Sequence, residues 1–175
     1  AIAIGIWLFS RAMRAEPFRL RVHQFLLRVP VVGRLIRGIN TARLASTLAI
    51  LTGSRVPLLT ALQAGVGVMN NLPMKHALEE AQRMVREGAT LSRSLGVSKM
   101  FPPVMVHLIA SGEASGKLDT MLERVATQQT REIETRVSTL TALLEPLLIL
   151  TMGVMVLIIV LAILLPIFEL NQLVK

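Results

Sequence analysis

Residues 146–168 form an unbroken run of 23 positions without a charged side chain. At a rise of about 1.5 Å per residue, a helix of this length spans the roughly 30 Å hydrocarbon core of a bilayer. An uncharged run this long exceeds what the buried helices of soluble proteins usually show. The run therefore predicts a transmembrane helix and restricts the chain to folds held in a membrane at this end.

The composition is also typical of a helical membrane protein. Apolar residues make up 53% of the chain and charged residues 17%, against about 45–50% and about 25% in soluble domains. No period-two alternation competes with the helical patterns. The chain has no cysteine, which excludes a disulfide framework and a thiolate metal site. The predicted fold class is all-α.

A second charge-free apolar stretch, residues 1–10, is followed by Arg11 and Arg14. Ten residues are too few for a helix to cross a bilayer. The chain starts with Ala and has no basic leader, which argues against a signal peptide. We expect residues 1–10 to be the end of a transmembrane helix that begins upstream.

The charges predict the orientation in the membrane. Segment 11–43 contains eight arginines and a single acid, Glu16. By the positive-inside rule, residues 11 to about 140 should be cytoplasmic and the tail 171–175 should lie on the other side of the membrane. The basic arm 11–39 is interpreted as a surface for membrane lipid, since the scarcity of aromatic residues argues against nucleic-acid binding.

Gly and Pro divide the middle of the chain into short helices. Asn40 or Thr41 is the expected N-cap of the second of these helices, and Asn70 or Asn71 that of the fourth. The first is basic and amphipathic and is expected to lie along the membrane. The predicted helices are 18–28, 40–51, 57–69, 73–87, 90–95, 102–111 and one that starts near 117.

These helices predict a cytoplasmic, antiparallel helical bundle of about six helices over residues 40–137, flanked by transmembrane helices. The last helix has no breaker before Pro146, so residues 138–170 are expected to contain the membrane helix with its cytoplasmic extension. Residues 44–69 are a possible alternative span. We reject it because Gly53 and Pro57 break it and it would move the arginine-rich arm across the membrane.

The segment SGEASGKLD, residues 111–119, superficially resembles a phosphate-binding loop. That loop needs four residues between its glycines, a Ser or Thr after the lysine, and a preceding strand. Here three residues separate Gly112 from Gly116, Leu118 replaces the hydroxyl residue, and the preceding segment is predicted to be helical. A nucleotide site is therefore not expected.

An architectural role fits this segment better. Gly112 and Gly116 can end one helix and let the chain turn closely into the next. Glu113 and Asp119 flank the start of the long last helix, where acids favour the positive end of a helix dipole. We expect this segment to join two helices, and a hinge at the glycines is a hypothesis.

The remaining polar residues show no catalytic set. The three histidines are scattered without paired spacing, and no nucleophile, base and orienting group come together. We expect no enzyme activity, no cofactor and no metal. The alternating acids and arginines of the helices are typical of a solvated face, although a docking surface remains open.

Glu145 is the one charge between Arg136 and Glu169. An ionisable residue at the edge of a membrane is a functional candidate by default. The alternative is an interfacial carboxylate beside Pro146, where the span starts. Both interpretations stay open.

Four segments together resemble the bacterial type II secretion system protein F family. They contain the Gly-Glu-x-x-Gly-x-Leu and Leu-Leu-Glu-Pro patterns and follow the family's order. The segments are residues 28–63, 101–126, 143–150 and 165–170. The resemblance implies that 40–137 is the second of two similar helical domains of a three-span membrane protein.

The resemblance also implies a function, that of a non-enzymatic scaffold in the inner-membrane platform of a type II secretion system. Its implied partners are the cytoplasmic secretion ATPase, the other platform proteins, pseudopilins and further copies of itself. The equivalent platform protein of type IV pilus biogenesis is the alternative, and a membrane transporter a weaker one. The positions that match the family's motifs, for which structural or docking roles are implied, are Pro57, Leu58, Leu59, Phe101, Pro102, Gly112, Glu113, Gly116, Leu118, Glu145 and Pro146.

Overall fold

The structure is a computed structural model that describes residues 16–173, with side-chain surroundings for residues 19–163. The described part is helical without strands, which confirms the all-α prediction. The expected membrane segment 1–10 lies outside it. The helices are α1 Glu16–Arg28, α2 Pro30–Gly53, α3 Leu58–Val68, α4 Leu72–Arg86, α5 Leu91–Ser98, α6 Pro103–Ser115 and α7 Leu118–Leu173.

The part of the chain that the structure describes divides after Ile133 into two compact units, which we call the first and the second unit. In the first unit each helix from α1 to α5 packs on the next one, and α1 also packs on α4. The core collects side chains from α2 to α7. Burying each large aliphatic side chain contributes roughly 1.5–3 kcal/mol relative to leaving it exposed. The large apolar side chains that are fully buried in this core are Leu44, Leu48, Leu62, Met74, Leu78, Leu91, Leu95, Met105, Ile109, Leu122 and Val125.

Helix α2 begins ten residues before its predicted start. Pro30 occupies its first turn, where the missing N–H costs no helical hydrogen bond. Asn40 and Thr41 are therefore buried in the helix interior, and the prediction that one of them caps the helix is wrong. The helix also crosses the predicted boundary between residues 39 and 40. Its end at Gly53 is confirmed.

Helix α4 follows its sequence pattern. Asn71 is its N-cap and accepts a hydrogen bond from the Met74 N–H at 3.2 Å. Met74, Leu78 and Ala81 of the predicted apolar stripe are buried in the core. Gly88 adopts a positive φ of 98° two residues after the helix ends, as a glycine in this position can.

Helix α6 runs through Gly112 and ends at Ser115, one turn later than predicted. Only Gly116 has the left-handed conformation of a C-cap, with a φ of 68°. Of the two glycines expected to end this helix, Gly112 is thus a helical residue and Gly116 alone makes the turn.

The second unit consists of the later part of α7. The helix continues through Pro146 without interruption, as expected from the absence of an earlier breaker. Its stretch from Glu145 to Ile163 is exposed to the surroundings along its whole length. Within the part of the chain that the structure describes, α7 is the one helix long and apolar enough to cross a membrane.

Candidate functional site

The carboxylate of Glu113 caps a helix other than its own. Glu113 lies on α6, half-buried, and accepts hydrogen bonds from the backbone N–H groups of Leu91 at 2.6 Å and Ser92 at 3.1 Å. It also accepts one from the Ser92 hydroxyl at 2.6 Å. The first N–H groups of a helix have no intrahelical partner, and a negative charge there is favourable. Glu113 therefore ties α6 to the start of α5.

This contact corrects the sequence analysis, which placed Glu113 at the positive end of the last helix. The chemistry was anticipated, but the helix is α5, whose start lies 22 positions earlier in the chain. Thr90 completes the cap, since its hydroxyl accepts from the Arg93 N–H at 3.4 Å. Asp119 does lie in the first turn of α7, as expected.

Gly112, next to Glu113, brings α6 against α7. A Cβ atom on Gly112 would lie 3.0 Å from the Cα of Leu118 and 3.0 Å from the Cβ of Met121. The Gly112 carbonyl also accepts a hydrogen bond from the Lys117 N–H at 3.0 Å, which closes the helix end. The glycine at position 112 therefore serves the close packing of α6 on α7, and not its own backbone conformation.

Gly116 provides the left-handed backbone conformation that the turn after α6 requires. Its left-handed backbone costs a residue with a side chain roughly 1–2 kcal/mol, while no neighbouring atom would obstruct a Cβ there. Leu118, directly after the turn, is half-buried and packs against the core. We call the group Leu91, Ser92, Gly112, Glu113, Gly116, Leu118 and Met121 the three-helix joint.

Two further candidate positions are helix starts that are built alike. Pro57 is the N-cap of α3, and its carbonyl accepts from the Ala61 N–H at 3.0 Å. Leu58 and Leu59 are half-buried in the first turn. The Leu59 carbonyl also accepts from the side-chain amide of Gln82 at 3.2 Å, which links α3 to α4.

Pro102 is the N-cap of α6, and its carbonyl accepts from the Val106 N–H at 3.4 Å. Phe101 before it is buried in the core, with 4% of its surface exposed. The fixed φ of proline suits the position before a helix, and neither proline removes a helical hydrogen bond there. These residues shape the first unit and lie outside the three-helix joint.

Glu145 and Pro146 belong to the second unit, in the exposed part of α7. Their neighbours Leu144 and Leu147 are each 53% exposed. Glu145 is thus a carboxylate within an apolar helical surface, which leaves both interpretations of its role open.

Sequence reasoning missed the role of Asn40, a buried polar anchor of α2. Its Oδ1 accepts hydrogen bonds from the backbone N–H groups of Asn70 at 3.0 Å and Asn71 at 3.3 Å. Its Nδ2 donates to the Ile36 carbonyl at 2.8 Å. The Asn40 amide thereby holds the link between α3 and α4 against α2. The small neighbours of Asn40 in the sequence, Gly38, Thr41 and Ala42, were the available signal.

His23 is a second anchor that the sequence did not single out. Its Nδ1 accepts a hydrogen bond from the Leu72 N–H at 3.2 Å, which joins α1 to the start of α4. Burial lowers the pKa of His23, and the nearby charge of Arg19 lowers it further. The imidazole is therefore held neutral, as an acceptor at Nδ1 must be.

Within the described residues of the first unit, the polar contacts position helices and bring together no reactive groups. Among the residues that the structure describes, no cluster of three His, Asp or Glu side chains could hold a metal ion. The arrangement can fix the relative positions of α5, α6 and the start of α7.

Comparison with known proteins gives a family match over most of the described chain. Residues 44–166 match the family model described as type II secretion system (T2SS), protein F. This match includes the three-helix joint and the apolar part of α7.

Curated relatives cover nearly the whole chain. Type II secretion system protein F of Pseudomonas aeruginosa is 52% identical over 170 residues, 97% of this chain and 42% of the relative. That of Aeromonas hydrophila is 47% identical over 98% of this chain and 44% of the relative. Type IV pilus assembly protein PilC of P. aeruginosa is 33% identical over 98% of this chain and 46% of the relative. The chain thus spans about two fifths of the length of these relatives.

Proposed function

We propose, since this chain belongs to the type II secretion system protein F family, that it is a scaffold in an inner-membrane platform. In this role it links a cytoplasmic secretion ATPase to assembly of a pseudopilus, for export of folded proteins across the outer membrane. The observation that carries the proposal is the family match over residues 44–166, which covers the core helices and the apolar helix together.

The degree of similarity favours secretion over pilus assembly. Three secretion proteins are 42–52% identical to this chain, whereas the pilus assembly relatives are 33–36% identical. The two ranges of identity overlap, because a secretion relative from Xanthomonas campestris is 36% identical to this chain. A role in type IV pilus biogenesis is accordingly the second candidate.

The contacts of the first unit support a scaffold. Glu113, Gly112 and Gly116 hold three helices by a charge-assisted cap, a close approach and a left-handed turn. Asn40 and His23 add hydrogen bonds that span 30 and 49 positions. These contacts hold the helices of the unit together at several points, which suits a part that receives force from an ATPase.

The outer face of α4 is the first surface to test for the ATPase contact. Arg83 forms ion pairs with Glu80 and Glu87, each at 2.6 Å, and all three side chains are exposed. The hydrogen bond from Arg83 lowers the pKa of Glu80. Exposed pairs of this kind contribute little to stability, so they are free to exchange partners with another protein.

Complementation separates the two candidate functions. A source strain that lacks the full-length protein should lose secretion of folded exoproteins and keep its surface pili, and the gene should restore secretion. Loss of pili with normal secretion would move the assignment to pilus biogenesis. Normal secretion and normal pili together would overturn both.

Co-purification tests the scaffold role directly. The full-length protein, extracted in detergent, should bring down a secretion ATPase, other platform proteins and additional copies of itself, and should not hydrolyse nucleotide alone. Arg83→Ala should weaken ATPase recovery, with Arg124→Ala, an exposed arginine on α7, as the matched control. Intrinsic nucleotide turnover, or no ATPase in the complex, would contradict the proposal.

The proposed topology places the first unit in the cytoplasm and the C-terminus in the periplasm of a multi-pass inner-membrane protein. Ile50→Cys and Lys175→Cys are suitable probes in a full-length protein whose cysteines outside residues 1–175 are replaced, because these residues contain none. In intact cells a membrane-impermeant thiol reagent should modify residue 175 and leave residue 50 unmodified. The reverse pattern would invert the topology.

A further inference from the structure

The corner between α1 and α2 is fixed by a backbone contact. Gly33 is buried, and a Cβ atom there would overlap the backbone carbonyl of Leu27. The Gly33 N–H donates to the Val29 carbonyl at 2.7 Å, so α2 starts directly at the turn. A glycine at this position lets α1 cross closely over the first turn of α2. The directions of the exposed side chains at the corner are therefore set by packing.

The side of α1 that faces away from the protein is basic with one aromatic residue. Arg21, Gln24, Phe25 and Arg28 are all exposed, at spacings of three and four residues that define one helical face. Phe25 is 68% exposed. The opposite side of α1 carries Leu27, which is buried.

The start of α2 extends this surface across the corner. Val31 is 54% exposed and Val32 38% exposed, and Arg34 follows them at the surface. Apolar side chains thus lie between arginines on both helices. We call the set Arg21, Gln24, Phe25, Arg28, Val31, Val32 and Arg34 the corner surface.

The positive charge of the corner surface is not neutralised nearby. Residues 17–78 contain eight arginines and lysines and no acid. Arg21, Arg28 and Arg34 form no ion pair with any residue that the structure describes. The surface therefore combines exposed apolar groups with uncompensated cations.

We propose that the corner surface binds the headgroup region of an anionic phospholipid bilayer. Phe25, Val31 and Val32 enter the apolar edge of the interface. The three arginines bind lipid phosphates, as basic amphipathic helices do at membrane surfaces. The inference rests on the membrane location in the proposed function and adds to it the surface that contacts lipid.

The bilayer is favoured over other occupants for two reasons. The chain from the expected membrane segment 1–10 to the start of α1 at Glu16 reaches at most about 20 Å, which keeps α1 close to the membrane. A second copy of the same surface would oppose arginine to arginine, and like charges repel. Each basic residue near an anionic surface strengthens binding about fivefold, so three give about a hundredfold.

The test compares two equally exposed apolar positions. Phe25→Cys and Ile50→Cys each carry an environment-sensitive fluorophore, in protein reconstituted into nanodiscs that contain nitroxide-labelled lipid. Ile50 is also 68% exposed, and it lies on α2 about 26 Å along the helix axis from Gly33. Residues 1–175 contain no cysteine, so each label is unique once any cysteine elsewhere in the full-length protein is replaced.

Lipid nitroxide should quench the label at residue 25 and not that at residue 50. The quenching should be stronger with phosphatidylglycerol than with phosphatidylcholine alone, and weaker at high salt, which screens charge. Replacing Arg21, Arg28 and Arg34 by Gln should abolish the phosphatidylglycerol dependence, and replacing them by Lys should keep it. Unchanged helical circular dichroism of each variant shows that it is folded.

Equal quenching at both positions, or none at residue 25, would overturn the proposal. Shielding of residue 25 in detergent that grows with protein concentration would assign the surface to a second copy. Shielding only after addition of a soluble acidic protein would assign it to that protein. Either result would overturn the proposal of lipid binding. Neither would change the outcome of the complementation experiment, which tests the proposed function separately.

Discussion

The Glu113 carboxylate and the Leu91 N–H, 22 positions apart in the chain, are joined by a hydrogen bond of 2.6 Å. It makes the positioning of α5 depend on a side chain of α6. Because α6 is also held to the start of α7 at Gly112, the three helices share one set of contacts within a few residues.

Removing the Glu113 side chain should destabilise the first unit. Glu113→Ala leaves the N–H groups of Leu91 and Ser92 without their acceptor, and we expect a loss of about 2 kcal/mol in the free energy of unfolding. Glu113→Gln retains one acceptor oxygen and should lose about half as much. Chemical unfolding followed by circular dichroism measures both. Glu123→Ala, on the exposed side of α7, should cause no measurable change, and an equal loss there would contradict the cap.

Substitutions at Gly112 and Gly116, the two glycines of the three-helix joint, should lower the stability for different reasons. Gly112→Ala forces α6 and α7 apart at Leu118 and Met121, and should cost about 1–3 kcal/mol. Gly116→Ala should cost about 1–2 kcal/mol through its positive φ, and Gly116→Asn less, because Asn tolerates that conformation. Gly67→Ala, in α3 with no atom near its Cβ, is the control.

Gly67→Ala should raise the stability by about 0.5–1 kcal/mol, because alanine loses less backbone entropy than glycine in a helix. The same unfolding experiment reports all four variants. If Gly116→Asn were as unstable as Gly116→Ala, the left-handed conformation would not be the cause. Normal secretion by the folded Gly112→Ala, Gly116→Ala double variant would remove the hinge hypothesis.

Asn40→Ala should be among the more damaging changes in α2. It leaves two backbone donors, those of Asn70 and Asn71, without their acceptor inside the protein, and we expect a loss of about 2–4 kcal/mol. Thr47→Ala removes a side-chain hydrogen bond within α2 itself and should change the stability by less than about 0.5 kcal/mol. Similar losses of stability for the two variants would show that the hydrogen bonds of Asn40 to Asn70 and Asn71 contribute no more than the bond of Thr47 within one helix.

Acid should loosen α1 through His23. Its pKa is lowered in the folded state, so the unfolded state binds more protons between that value and the ordinary pKa of about 6.5. The contribution of His23 to stability is therefore full above about pH 6.5 and falls as the pH drops through the lowered pKa. Protonation also removes the Nδ1 acceptor of the Leu72 N–H.

Hydrogen exchange of the Leu72 amide between pH 8 and pH 5 measures this effect, once the intrinsic pH dependence of exchange is removed. Protection should decrease towards acid. His23→Asn retains an acceptor near the Nδ1 position and does not titrate, so its protection should stay level. A parallel decrease in His23→Asn would assign the effect to another group.

Glu145→Gln tests whether the carboxylate at the membrane edge docks a partner. The variant should insert normally, because it removes a charge from an apolar surface. If the carboxylate makes a charge-assisted bond to another platform protein, association should weaken about tenfold or more, and secretion should fall. Glu123→Gln is the control. Full secretion by Glu145→Gln would favour the interfacial interpretation.

The sequence was sufficient where one short pattern decides the structure. The apolar stripe of α4, a cap by one of the two candidates Asn70 and Asn71, and the all-α class followed from periodicity and local capping. The continuation of α7 into the apolar run followed from the absence of an earlier helix breaker. Each depends on residues within a few turns of one another, so no knowledge of the tertiary fold was needed.

The errors arose where a residue acts through a distant partner. Residues 29–39 were predicted to lie between two helices, but Gly33 and Gly38 lie inside α2, where the backbone of Leu27 and the side chain of Ile133 approach them. Glu113 was placed on the nearest helix in sequence, whereas its partners lie on α5. Local propensity cannot show which of two nearby helix ends a carboxylate will reach, because packing decides it.

The contact between His23 and Leu72 also has a consequence for the order of assembly. Because 49 positions separate the two residues, α1 leaves the ribosome roughly 2–10 seconds before α4 at ordinary rates of synthesis. In that interval α4 has not yet emerged from the ribosome and α1 cannot pack on it, while the membrane is already present. We expect the bilayer to be its first partner and docking on α4 to come later.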